Sequence, residues 1–207
     1  CVSVCLHGPP GTGKTALARH LANELERPLF VKRASDLLSM FVGGTEANLS
    51  EAFSEASEEN GIMLIDEVDT FLLDRSGASR SWEVTQVNEF LTQLEQFRGI
   101  FFATTNRLES LDEAVLRRFT FKLKFNYLNQ EQREMAFHCH FDPLLKLSGK
   151  NEAKLESVLS GLQHLTPGDF EVVRRKIQFQ IEAPTQFSLL EELEAEMRLK
   201  PVCGKRK

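Results

Sequence analysis

The residues Gly8-Pro9-Pro10-Gly11-Thr12-Gly13-Lys14-Thr15 fit the spacing G-x-x-x-x-G-K-[ST], a pattern that cradles a chain of phosphates. A polyphosphate needs many donors converging on a small volume. Glycines at 8, 11 and 13 let the backbone curl until its N–H groups point inward, because a residue without a Cβ tolerates unusual φ and ψ. Pro9, Pro10 and Thr12 complete the loop. Lys14 brings a compact positive charge to the terminal phosphates, and the Thr15 hydroxyl is a ligand for Mg²⁺. The competing reading is a Gly/Pro-rich turn that happens to contain Lys-Thr. The flanks argue against it, since an apolar run precedes the loop and a helical pattern follows. The N-terminus of that helix would face the phosphates, where its dipole favours anions.

Hydrolysis of a nucleotide needs a second, acidic site. Gly61-Ile62-Met63-Leu64-Ile65 is a continuous apolar run ending in Asp66-Glu67, as expected of a buried parallel strand with carboxylates at its ligand-binding edge. Asp66 there would share the Mg²⁺ shell with Thr15, and Glu67 would orient and activate a water. Asp69 is either a supporting partner of these groups or a surface acid. A further apolar run ends in Thr104-Thr105-Asn106. The neutral amide of Asn106 would bridge the attacking water and the γ-phosphate without adding negative charge; the alternative is a turn-forming Asn. Arg117 and Arg118 are either surface charge or groups that reach a neighbouring subunit's site to neutralise the γ-phosphate, a device worth ~10³-fold or more in rate.

Elements that alternate in type must position these groups. Val2–Leu6 reads as a strand and Ala16–Leu25 as a helix, with Leu17, Leu21 and Leu25 one turn apart beside Ala18 and Ala22. Leu29–Lys32 is a second strand. After the loop 39–44 comes a helix with Leu49, Ala52, Phe53 and Ala56 on one face. Another helix runs from about Trp82 to Phe97, with Val84, Val87, Leu91 and Leu94 facing inward. Ile100–Thr104 and Phe119–Phe125 are the fourth and fifth strands. Repeated strand–helix units predict a doubly wound parallel α/β sheet. From Asn129 the pattern is helical only, over 130–141, 152–162, 167–181 and 188–200, with Phe170, Val173, Ile177 and Ile181 on one face of the third. The expected division is an α/β core over residues 1–127 and a small helical domain with its tail over 128–207.

The charge balance of −5 argues against a dedicated nucleic-acid binder. No apolar run approaches the ~20 residues that cross a bilayer. The scattered cysteines Cys1, Cys5, Cys139 and Cys203 fit a reducing, cytoplasmic location. A chain that begins at Cys1, with a strand almost at once, is expected to be part of a longer protein. His138-Cys139-His140 places neighbours two apart on different sides of a helix, which disfavours a shared metal ion. Trp82 either lines a second loop or anchors its helix.

Taken in order, Gly8–Thr15, Asp36–Gly43, Ile62–Glu67, Gln86–Leu94, Thr104–Asn106 and Leu111–Phe119 resemble the AAA family of P-loop ATPases. More narrowly, they resemble the group that includes the valosin-containing and FtsH-type proteins. The resemblance covers about residues 2–125 closely and the helical remainder loosely. It implies an ATP- and Mg²⁺-dependent module in a ring, usually a hexamer, with a helical lid and a protein as substrate. By the same resemblance Lys14, Thr15, Asp66, Glu67 and Asn106 take the roles above, and Arg117 and Arg118 match the finger region that acts across subunits. Phe41 matches the aromatic residue that threading members place on a pore loop, where it grips an extended chain through apolar contact; a core Phe capping the adjacent helix is the alternative. Gly168, in Thr166-Pro167-Gly168-Asp169-Phe170, matches a turn near the adenine. Arg174 and Arg175 follow it, as phosphate contacts or as a solvated face.

The sequence also departs from the family pattern. Gly43-Gly44-Thr45-Glu46 stands where Gly-Glu-Ser-Glu is usual, and no Pro-Gly pair separates Arg117 from Arg118. The 207 residues contain no His-Glu-x-x-His zinc motif. Besides a protein-threading ring, a nucleotide-controlled scaffold and a DNA-handling clamp-loader type of motor remain open at this point.

Overall fold

Cys5, Met63, Ile65, Phe101 and Ala103 belong to one buried cluster, while Val4, Leu6, Ile62, Leu64 and Phe102 belong to another. Neighbours on a strand point to opposite faces, so these continuous apolar runs require a sheet covered on both sides. The computed structural model shows that sheet. It describes residues 1–39, 41, 43–70, 72, 81–145, 151–180 and 183–200, without the side chains of 81–84.

In chain order the first unit contains β1 (Val2–His7), α1 (Lys14–Glu24), β2 (Leu29–Arg33), the single turn α2 (Ala34–Leu37), α3 (Gly44–Glu58) and β3 (Ile62–Asp66). It continues with α4 (Ser81–Gln96), β4 (Ile100–Thr105), α5 (Glu113–Arg118) and β5 (Phe121–Lys124). The strand order is β2-β3-β4-β1-β5, with all pairs parallel. The consequence for function is that β4 lies between β1 and β3. The C-terminal ends of these three strands therefore lie side by side, at the edge where such sheets bind ligands.

The two faces are filled differently. On one, Ala18 and Ala22 of α1 are buried against Val4, Leu6, Ile62, Leu64 and Phe102. Small residues let this helix sit close to the sheet; Leu17 and Leu21 are half-buried, and Leu25, expected on that face, lies past the helix end and is exposed. On the other face Leu49, Ala52, Phe53 and Ala56 of α3 meet Val87, Phe90 and Leu94 of α4. There Phe53 stacks on Phe101 at 5.6 Å, and Phe101 on Phe119 at 6.2 Å. Truncating a buried Phe of this kind costs about 3–5 kcal/mol. Val84, also expected to face inward, lies outside the described side chains.

The fifth strand is shorter than its pattern predicts. Phe119 caps α5 and enters the core, and only residues 121–124 pair with β1. All four are exposed, because β5 is the edge of the sheet.

The second unit holds residues 10–12 and everything from Asn126 onward. Its helices α6 (Gln130–Phe141), α7 (Glu152–Gly161), α8 (Pro167–Ile177) and α9 (Gln186–Arg198) enclose a core of Phe137, Phe141, Leu155, Leu159, Phe170, Val173 and Leu193, among others. The first turns are capped locally. Asn129 accepts from Gln132 N, Asn151 from Lys154 N and Thr185 from Ser188 N, each satisfying an amide that the helix leaves open. Asp169 closes the start of α8 by accepting from Thr166 N at 2.6 Å. The expected extension of α8 to residue 181 does not form. After Ile177 the chain turns, with Phe179 N bonded to Lys176 O and Phe179 itself 88% exposed. Ile181 lies outside the described residues. No helix among the described residues is long and apolar enough to cross a membrane.

Candidate functional site

The loop between β1 and α1 is built by backbone geometry that only part of the sequence can adopt. Gly8 has φ +135°, and a Cβ there would lie 2.1 Å from the carbonyl oxygen of Phe125. Gly8 N donates to Thr105 O at 3.2 Å and Phe125 N to His7 O at 2.7 Å, so β4 and β5 clamp the start of the loop. Gly13 has φ +93° and no atom within 4 Å of a would-be Cβ. Its demand is for conformation alone, since a left-handed backbone costs a non-glycine residue roughly 1–2 kcal/mol. Lys14 and Thr15 fall inside the first turn of α1, two residues earlier than the helical pattern suggests.

Lys14 is 8% exposed. Its Nζ donates to Gly8 O at 2.8 Å, Pro9 O at 2.9 Å and Asn106 Oδ1 at 2.9 Å. These three acceptors are neutral oxygens, so its charge stays available to an anion. Burial holds the ammonium below the usual lysine range, and the carboxylates Asp66, Asp69 and Glu67 pull it back up. The balance favours a site that gains a dense negative charge.

The acidic partners come from β3 and the residues just after it. Thr15 Oγ1 donates to Asp66 Oδ2 at 3.3 Å. Adjacent ligands of an octahedral Mg²⁺, with bonds of about 2.1 Å, sit roughly 3 Å apart, so this hydroxyl–carboxylate pair fits the ion. Glu67 is exposed and adopts a left-handed backbone, φ +59°. In a non-glycine residue such strain persists only where the surroundings fix it.

The end of β4 ties the two halves together. Asn106, one residue beyond the strand, meets Lys14. Thr104, 1% exposed, accepts from Glu67 N at 3.1 Å and donates to Asp66 Oδ1. Thr105, fully buried, donates to Asp69 Oδ1 at 2.8 Å and accepts from Arg107 N at 2.9 Å. Asp69 is thereby a supporting partner, not a free surface acid. The two threonines carry hydrogen bonds that sequence reasoning passed over. A hydroxyl at a strand end has no spacing signature, and only the strand order brings it to β3.

The other expected residues are placed as follows. Gly168 N donates to Gly11 O at 2.9 Å within the second unit, which joins the start of α8 to the tip of the phosphate loop. Arg117 pairs with Glu113 on its own helix and is 74% exposed. Arg118 pairs with Glu95 of α4 at 2.7 Å and is 53% exposed, while its carbonyl accepts from Ser3 Oγ. Phe41 is 81% exposed, so it is not a core residue capping α3. Its N–H donates to Ser39 Oγ and its carbonyl accepts from Gly44 N, which makes a tight turn ahead of that helix. The Trp82 side chain lies outside the described residues. His138 contacts Asp142 at 3.2 Å and Glu152 at 3.6 Å through opposite ring nitrogens, and Cys139 is exposed. Burial pushes the Cys5 thiol up to about 12, so that group packs and does not react.

A strand–loop–helix that wraps a buried lysine, opposite a strand ending in paired acids, defines a nucleotide-binding α/β ATPase core. Residues 4–127 match the family described as "ATPase family associated with various cellular activities (AAA)", and the chain belongs to that family. Its similarity to curated proteins falls on the same region. It is 33% identical over 148 residues to a putative 26S proteasome regulatory subunit homolog of Methanothermobacter thermautotrophicus, covering 69% of this chain and 40% of the relative. It is 37% identical over 147 residues to the ATP-dependent zinc metalloprotease FtsH of Marinobacter nauticus, covering 66% of this chain and 23% of the relative. It is 37% identical over 138 residues to Fidgetin-like protein 1 of Drosophila melanogaster, covering 63% of this chain and 26% of the relative. The chain spans less than half the length of each.

Proposed function

We propose that this chain is the ATP-binding and ATP-hydrolysing module of a homo-oligomeric ring, hexameric by family resemblance, that remodels or threads protein substrates. The observation that carries the reading is the pairing of Lys14 with Asn106 and of Thr15 with Asp66, two hydrogen bonds made where three adjacent strands end. The loop amides and Lys14 hold the β- and γ-phosphates. Thr15 and Asp66 would hold Mg²⁺, which when bound would neutralise charge on the phosphate oxygens. Glu67, exposed next to Asp66, takes a proton from the attacking water. Asn106 keeps Lys14 aimed at the γ-phosphate and offers its amide to the same water. Arg117 or Arg118, both exposed at the end of α5, supplies positive charge to the neighbouring subunit's site.

Protein remodelling rests on Phe41, an exposed aromatic on a turn beside glycines, suited to gripping an extended chain of any sequence. In support stand the names of the relatives, a proteasome regulatory subunit homolog and a metalloprotease. The test measures ATP turnover of the full-length protein with and without an unfolded protein substrate. Glu67→Gln should retain nucleotide and lose turnover by roughly 10²–10⁴-fold, and Phe41→Ala should collapse the ratio of stimulated to basal turnover. A Phe41→Ala protein with undiminished stimulation refutes threading. Slow turnover that no protein stimulates describes instead a nucleotide-controlled assembly module, and a parent protein that takes up no adenine nucleotide refutes the whole reading.

A further inference from the structure

Asp66 and Glu67 are adjacent in sequence but must do different things, one holding a cation and the other handling a proton. A carboxylate on a strand end can rotate about χ2, and a left-handed glutamate backbone can relax to an ordinary one. Each needs a restraint. Both restraints converge on one hydroxyl. Thr104 Oγ1, on a side chain 1% exposed, accepts from Glu67 N at 3.1 Å and donates its single proton to Asp66 Oδ1. The polarity is consistent from end to end, because an amide gives to an oxygen that gives to a carboxylate, and such chains strengthen one another.

The consequence for Asp66 is directional. With Oδ1 taken by Thr104, its other oxygen, Oδ2, is the one that meets Thr15 Oγ1 at 3.3 Å, on the side where the cation would sit. The consequence for Glu67 is conformational. Its amide is held by Thr104 in the φ +59° backbone, and its side chain is exposed. Thr105, one residue along, makes the parallel bond to Asp69 instead. The pairing at Thr104 therefore does not follow from being a threonine at this edge; it depends on the strand position opposite the end of β3.

We infer that Thr104 is a positioning residue for hydrolysis, its buried hydroxyl orienting Asp66 toward the Mg²⁺ shell while locking Glu67 in its left-handed backbone. This deepens the ATPase reading and rests on it. Hydroxyls that orient metal-ligating carboxylates are worth 10–100-fold in metal affinity or activity. Thr104→Val keeps the shape and deletes both bonds; Thr104→Ser keeps the hydroxyl.

The experiment measures ADP affinity of the full-length protein by calorimetry, once in EDTA and once across a Mg²⁺ titration, alongside ATP turnover. In EDTA, Thr104→Val should bind ADP within about twofold of the parent, since Lys14 and the loop amides are untouched. The Mg²⁺ concentration for half-maximal tightening should rise about tenfold and turnover should fall about 10–100-fold, with Thr104→Ser recovering to within about threefold. Thr104→Val with the parent's Mg²⁺ dependence and turnover overturns the inference. So does an equal loss of affinity in EDTA, which would mean a general collapse of the site. A parent that binds no ADP under either condition overturns the ATPase reading, and this inference with it.

Discussion

Gly8 and Gly13 share a positive φ but not a neighbourhood, and that difference yields a number. At Gly8 an added Cβ lies 2.1 Å from Phe125 O, so β5 or the loop must retreat by roughly 1 Å. A retreat of that size carries the 2.7 Å bond from Phe125 N to His7 O beyond useful length, a net loss of about 0.5–1.5 kcal/mol. The unfavourable backbone adds about 1–3 kcal/mol. Gly8→Ala should therefore cost roughly 1.5–4.5 kcal/mol, or about 3–18 °C in Tm at this chain length. Gly13→Ala meets no atom within 4 Å and should cost only the strain, about 1–2 kcal/mol. The assay is thermal unfolding of the nucleotide-free protein, so that loss of a stabilising ligand cannot contribute to either variant. Equal melting temperatures for the two variants would refute the close-approach argument, as would Gly13→Ala being the less stable.

Two further perturbations test the electrostatics of each unit. Burial, then Lys124 and more weakly Lys14, hold His7 below its ordinary value of 6.5, with Glu109 opposing; as pH falls through 6.5 the unfolded chain takes up the proton first, so stability should drop there. His7→Gln should flatten the dependence of Tm on pH between about 5 and 7, and a profile identical to the parent's would contradict the assigned burial. In the helical unit Lys200 Nζ contacts Asp169 and the His164 carbonyl, and lies 5.5 Å from the Tyr127 ring. Lys200→Met should leave Asp169, 10% exposed at its side chain, with Thr166 donors alone. The expected cost is about 1–3 kcal/mol by chemical unfolding, and no change would show that the capping bonds suffice.

How much of this was legible beforehand depended on whether the signal was local. The phosphate loop and the run into Asp66-Glu67 are local patterns, and the apolar strands read correctly because both faces of a parallel sheet are buried. Phe53 and Ala56 were legible for the same reason, at helical spacing. Where a residue's role depends on its neighbour across the sheet, the one-dimensional pattern fails. Phe119 reads as strand but leaves it to fill a gap beside Phe101. Leu25 reads as helix face but falls past the end of α1 and is exposed, while Ala18 and Ala22 are buried against β1 and β3.

The strand order is the least legible feature and the one on which the site depends. Nothing in the spacing of the motifs says that β4, the fourth strand made, inserts between the first and the third. Because it does, one strand end faces two partners at once. Asn106 turns to Lys14 on the β1 side, and Thr104 turns to Asp66 and Glu67 on the β3 side. A sheet in sequential order would leave β1 and β3 separated by β2, whose C-terminal residues Lys32 and Arg33 would bring cations where this site holds a neutral amide and hydroxyls. The chemistry thus needs the crossover as much as it needs the loop. β4 supplies hydrogen bonds without charge, so the positive end built around Lys14 and the negative end built around Asp66 stay distinct while one strand end binds both.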